Sequence, residues 1–124
     1  IEIIDIRKYA DNKHNKVDDY PYGGGPGMVM MIEPIVKAIK DNKTKDTKIY
    51  LMTPHGKVFN QDRAKELSKE KEIMLISGHY EGIDYRVLDY IDGEVSIGDY
   101  ILTGGELPSM VIADAIIRLQ KGVI

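Results

Sequence analysis

Three short apolar runs constrain this chain most: 48–52 (K-I-Y-L-M), 73–76 (I-M-L-I) and 94–97 (E-V-S-I). Each gives way at once to residues that break regular structure: Thr53-Pro54-His55-Gly56, Ser77-Gly78, and a loop over 98–105. The segments between them read as helices. Asn60 caps a polar amphipathic helix reaching about Lys69, residues 84–90 form a short helix, and 106–119 form the last one. Strands that alternate with helices predict an α/β fold, a mainly parallel sheet with helices on both faces. Ligands of such sheets sit beyond the carboxyl ends of the strands. The three breaker segments are therefore expected to converge on one sheet edge.

The ends of the chain are read in the same way. Residues 1–6 (I-E-I-I-D-I) predict a short strand. Residues 18–27 (D-D-Y-P-Y-G-G-G-P-G) predict a long functional loop, neither helix nor regular strand. Residues 28–40 predict a helix with Pro34 in its first turn. In the last helix only Asp114 and Arg118 are ionisable between 107 and 119. A helix apolar most of the way round is expected to be buried on more than one side, which in so small a chain favours sharing with a second subunit. Thr103-Gly104-Gly105-Glu106 matches a capping box. A helix capped by Thr103 would carry Pro108 beyond its first turn, so the start falls between Gly105 and Pro108.

Composition removes several function classes. The chain has 124 residues, enough for one domain over 1–124, and shows no repeat or internal linker. It has 17 bases against 20 acids, a net charge of −3, which argues against gripping nucleic acid by bulk charge. It has no cysteine, so disulfide scaffolds, zinc fingers, iron–sulfur sites and cysteine nucleophiles are excluded. No apolar run is long enough to span a membrane, and a cytoplasmic protein is expected. Residues 78–114 hold one base, Arg86, against eight acids, together with six of the 12 glycines. That surround suits a neutral or cationic small molecule better than a phosphate.

The candidate chemistry is weighed against simpler roles. Ser68, Ser77, Ser96 and Ser109 stand in no nucleophile elbow, so no triad is predicted. Neither a zinc-binding spacing nor a nucleotide-phosphate loop occurs. Asp114 and Arg118 are four apart, an ion pair by spacing. The alternative is an Arg118 that faces substrate, held by Asp114, and stabilises negative charge developing on a carbonyl. Glu81, just after a strand, is either a loop carboxylate or a ligand contact.

Five segments resemble, in order, those of bacterial tRNA (guanine-N1)-methyltransferases. They are 18–28 (D-D-Y-P-Y-G-G-G-P-G-M), 53–56 (T-P-H-G), 78–84 (G-H-Y-E-G-I-D), 96–107 (S-I-G-D-Y-I-L-T-G-G-E-L) and Arg118 through Val123. The resemblance covers nearly the whole chain. It implies a SPOUT-type domain with a deep trefoil knot and a homodimer with its site at the subunit interface. It also implies S-adenosylmethionine as methyl donor and, as acceptor, N1 of the guanine just 3′ of the tRNA anticodon.

Carried over by residue, the resemblance implies cofactor contacts at Thr53, Pro54, Gly78, Ile97, Gly98, Asp99, Tyr100, Ile101, Leu102, Gly104, Gly105 and Pro108. Arg118 would face the guanine O6, and Glu81 would serve catalysis and a magnesium ion. Asp18, Asp19, Gly23, Gly24, Gly25 and Gly27 would lie near the substrate. The family's first strand and helix precede Ile1, and its linker and C-terminal tRNA-binding domain follow Ile124. The chain is thus expected to be an N-terminal piece that binds cofactor with little turnover, with the general base outside it. His79, Tyr85 and Lys121 depart from the usual Arg, Glu and Pro. A knotted methyltransferase with another target base, or a non-catalytic dimerisation or RNA-binding module, are the alternatives.

Overall fold

A computed structural model describes residues 1–10, 18–19, 29–30, 32–78 and 83–123. A two-residue hairpin pairs β1 (Asp18–Asp19) antiparallel with β2 (Val29–Met30). Helix α1 (Ile32–Asn42), strand β3 (Thr47–Val58), helix α2 (Gln61–Leu67), strand β4 (Glu72–Ile76), strand β5 (Gly93–Ser96) and helix α3 (Glu106–Ile117) follow. Short 3-10 helices occupy Ile6–Tyr9 and Tyr85–Tyr90. The sheet runs β4-β3-β5, and both pairings are parallel. The α/β architecture predicted from the alternation is therefore present.

The central strand explains the layering. Successive side chains of a strand point to opposite faces, and β3 is buried on both. Ile49 and Leu51 join Ile35 and Ile39 of α1 with Ile76 and Val87. Tyr50 and Met52 join Leu67 of α2, Val95, and Ile112 and Ile116 of α3. Helices thus cover both faces, as a parallel sheet requires. Asp92 lengthens the β3–β5 ladder: its amide donates to Ile49 O at 2.8 Å, and its carboxylate accepts from Ile49 N at 2.7 Å.

Several local expectations change. Residues 1–5 form no strand. Asp5 accepts from the Arg7 amide at 3.0 Å, a local turn that competes with extended pairing, and Ile1 and Ile3 stay exposed. Part of the 18–27 segment is regular after all, since Asp18–Asp19 pair before the Pro and Gly run begins. The helix expected from 28 starts at Ile32, because Val29–Met30 serve the hairpin. Thr53–Gly56 does not end its strand. Met52 and Lys57 both pair with Val95, so the intervening four residues leave the ladder and the chain rejoins it at the same partner.

α3 starts at Glu106, inside the Gly105–Pro108 window that Pro108 predicted, and the capping box matched at Thr103–Glu106 does not form. Gly105 is the N-cap, with no side-chain cap bond, and Pro108 falls in the first turn, where it is tolerated. Within the chain α3 is buried along one stripe only, at Pro108, Ile112 and Ile116. Leu107, Met110, Val111 and Ile117 remain exposed. Among the described residues no other element covers that second face, so the burial expected on several sides is not met by their packing.

Gly56 sets the β3 excursion hard against β5. A Cβ there would lie 2.6 Å from both Glu94 C and Val95 N. At Gly93 it would lie 3.6 Å from the Tyr50 ring, an ordinary contact. Gly56→Ala is expected to cost about 1–3 kcal/mol by overpacking, and Gly93→Ala less than about 1 kcal/mol. Urea unfolding midpoints check this, and equal losses would contradict the packing assigned to Gly56.

Candidate functional site

Parallel pairing brings the carboxyl ends of β3, β4 and β5 to one edge. The closest meeting is of glycines. Gly105 N donates to Gly78 O at 2.8 Å. A Cβ on Gly105 would lie 2.9 Å from Ser77 Cα, 3.0 Å from Gly78 N and 3.1 Å from Met52 Cβ. A Cβ on Gly104 would lie 3.2 Å from Gly78 O. No Cβ fits at Gly105, and the three glycines are buried in this close backbone contact, with the Glu106 carboxylate against Gly104. Met52 brings in β3 just before its excursion, one residue before buried Thr53. Thr53 Oγ1 accepts from His55 N at 3.2 Å and steadies the 53–56 excursion. Pro54 is half-buried beside it.

The third loop is pinned at its root. Buried Ser96 donates from Oγ to Gly98 O at 2.8 Å and accepts from Gly98 N at 3.1 Å. The Tyr100 ring lies over Gly98, where a Cβ would meet its ring atoms, and its hydroxyl donates to Ile97 O at 3.4 Å. Ile97 packs on the second core cluster. Asp99, Tyr100 and Ile101 are exposed, and Leu102 is half-buried. Pro108 is fully buried, so it supports the loop from behind.

Other expected site residues lie elsewhere. Arg118 is the C-cap of α3, exposed, and makes no ion pair with Asp114. The pair suggested by their spacing is not formed; each side chain is solvated at the helix surface. Twelve helical residues separate Arg118 from Gly105, about 20 Å at about 1.5 Å rise per residue. The backbones of Asp18 and Asp19 pair with Met30 and Val29. Glu81, Gly23, Gly24, Gly25 and Gly27 lie outside the described residues, as does His79. Among the described residues no group of three or more His, Asp or Glu could hold a metal ion.

Sequence reasoning missed Ser77, Ser96, Ser109 and Gly56 as organisers of this edge. Ser77 and Ser109 meet across 32 residues and Gly56 acts by lacking a side chain, while Ser96 bonds locally to Gly98, a pairing its residue type alone does not announce. A hollow of about 250 Å³ beside β5, lined by Tyr50, Lys57, Arg63, Asp92 and Glu94 among others, is distinct from these loops. Arg63 is already engaged there, 5.4 Å over the Tyr50 ring and 2.7 Å from Glu66.

Asp84, which follows the 78–83 segment, caps the second 3-10 helix by accepting from Arg86 N at 3.0 Å. The Arg86 guanidinium, hydrogen-bonded to its carboxylate, holds that carboxyl below the usual carboxylate range. A lowered native pKa stabilises the fold above the unfolded chain's value, about 3.9, and that stabilisation is lost as pH falls through the native one. The stability difference between the wild type and Asp84→Asn should hold steady above about pH 5 and shrink below about pH 4. Urea titrations across that range check this, and a difference that grows toward acid would contradict it.

The whole chain, residues 1–124, matches the family model described as tRNA (Guanine-1)-methyltransferase TrmD. It is 60% identical over 125 aligned positions to the tRNA (guanine-N(1)-)-methyltransferase of Ureaplasma urealyticum serovar 10, covering all of this chain and 55% of that protein. Against the protein of that name from Clostridium perfringens strain 13 it is 57% identical, covering 53% of it. Against that of Caldanaerobacter subterraneus subsp. tengcongensis it is 55% identical, covering 52%. The chain spans about half the length of the curated relatives it matches. With its full extent matched, it belongs to the tRNA (guanine-1)-methyltransferase TrmD family.

Proposed function

We propose that this chain is the S-adenosylmethionine-binding domain, residues 1–124, of an enzyme that methylates N1 of the guanine just 3′ of the tRNA anticodon. The observation that carries this reading is the meeting of Gly78, Gly104 and Gly105 at the strand ends, where backbone groups replace side chains. Loops that meet through glycines suit adenine and ribose, which need close approach to backbone and little bulk. The residues that would hold the cofactor are Thr53, Pro54, Gly78, Ile97 through Leu102, Gly104 and Gly105, with Pro108 behind them. The surrounding acids tolerate its sulfonium and amino charges. We read the three loops as part of a SPOUT-type trefoil knot.

The bound cofactor supplies an electrophilic methyl group. Guanine N1 must give up its proton to a base as it takes the methyl group, so negative charge would develop on O6. Arg118 would donate to O6 and stabilise that charge. Arg118 stands a helix length from Gly105 of its own chain, so we assign it to the cradle of a second copy. The exposed Leu107, Met110 and Val111 of α3 supply an apolar face for such a homodimer. Glu81 is our candidate magnesium ligand and second catalytic group. Asp18, Asp19 and the glycines at 23–27 are assigned to the substrate side. No step here runs through a metal, and no general base is assigned. We ascribe cofactor binding to this chain and turnover on tRNA to the longer protein. A bacterial cytoplasmic setting fits this reading, and no described helix is long and apolar enough to cross a membrane.

Arg118→Ala in the longer protein should lower methyl transfer about 10²–10³-fold. The calorimetric Kd of this chain for S-adenosylmethionine should change less than about twofold. A variant that transfers normally would overturn the role of Arg118. A folded chain that binds no cofactor would overturn the function.

A further inference from the structure

We propose that Ser77 and Ser109 form a positioning clamp that sets the spacing of the glycine edge. Their Oγ atoms stand 2.6 Å apart, half-buried, and either can donate. The contact closes a ring of three hydrogen bonds. Gly105 N donates to Gly78 O at 2.8 Å, and Ser109 N donates to Gly105 O at 3.0 Å. The Ser109 hydroxyl then returns to Ser77, the chain neighbour of Gly78. The start of α3 is thereby fastened to the end of β4 at two points one helical turn apart.

This fastening matters because the N-cap has nothing else of the kind. Gly105 has no side chain, and α3 lacks a side-chain cap bond. One backbone hydrogen bond fixes a distance but leaves rotation about it, whereas a second, one turn along, removes that rotation. Serine is a poorer helix former than alanine, so residue 109 does not serve helix propensity. Its hydroxyl finds a partner across the interface instead. Where the strand-end loops hold the cofactor, a reading on which the affinity part of this proposal rests, the clamp holds Gly78, Gly104 and Gly105 in binding geometry before the ligand arrives.

The test uses the full 124-residue chain with S-adenosylmethionine as probe. Ser109→Ala should raise Gly105 amide hydrogen exchange about tenfold while Ile49 and Leu51 in the core strand change by less than about twofold. It should raise the cofactor Kd about tenfold at temperatures well below unfolding. Ser109→Thr, which keeps a hydroxyl, should restore both. The Ser77→Ala/Ser109→Ala pair should lose no more than one single change does, as expected for partners in one contact. Unchanged Gly105 exchange in Ser109→Ala would overturn the clamp, and raised exchange with an unchanged Kd would overturn its positioning of the cradle. Raised exchange in a chain whose wild type binds no cofactor would support the clamp and overturn the cofactor reading.

Discussion

The strand-end edge of this fold depends on one backbone hydrogen bond, from Gly105 N to Gly78 O. Its length is compatible with the surrounding atoms only because Gly105 lacks a Cβ. Through it the end of β4 and the start of α3 occupy almost the same space. From that fixed start α3 lays Ile112 and Ile116 onto Tyr50, Met52 and Val95. The packing of one sheet face and the shape of the proposed cradle thus share a single origin.

The close glycine contact holds the strand-end loops together through backbone alone. The acidic composition of residues 78–114 suits the cationic donor proposed here better than a phosphate. The cation proposed for catalysis is placed apart, at the far end of α3. The separation of Gly105 from Arg118 and the exposed apolar face between them support the proposed homodimer, in which two copies would complete each other's sites.

Much of this was legible in the sequence. The alternation of apolar runs with breakers pointed to the parallel sheet, and Asn60 caps α2 as its position suggested, accepting from Arg63 N at 2.8 Å. The TrmD family was legible from the five ordered segments, and the family model bears it out. What misled was local pattern without its partner. Residues 1–6 read as a strand, but the Asp5 turn to Arg7 wins where no neighbouring strand pairs. Asp114 and Arg118 have ion-pair spacing, and spacing alone does not bring solvated side chains together. The excursion at Thr53–Gly56 and the Ser77–Ser109 contact depend on β5 and α3, tens of residues away, which no local window contains.

The most direct measurement is a map of backbone amide chemical shifts in this chain as S-adenosylmethionine is added. The account predicts that the largest changes fall on Thr53, Gly78 and the 97–105 loop, with little change at Arg63 and Glu94 beside the separate hollow. Changes centred on that hollow, with Gly78 and Gly105 unmoved, would contradict it.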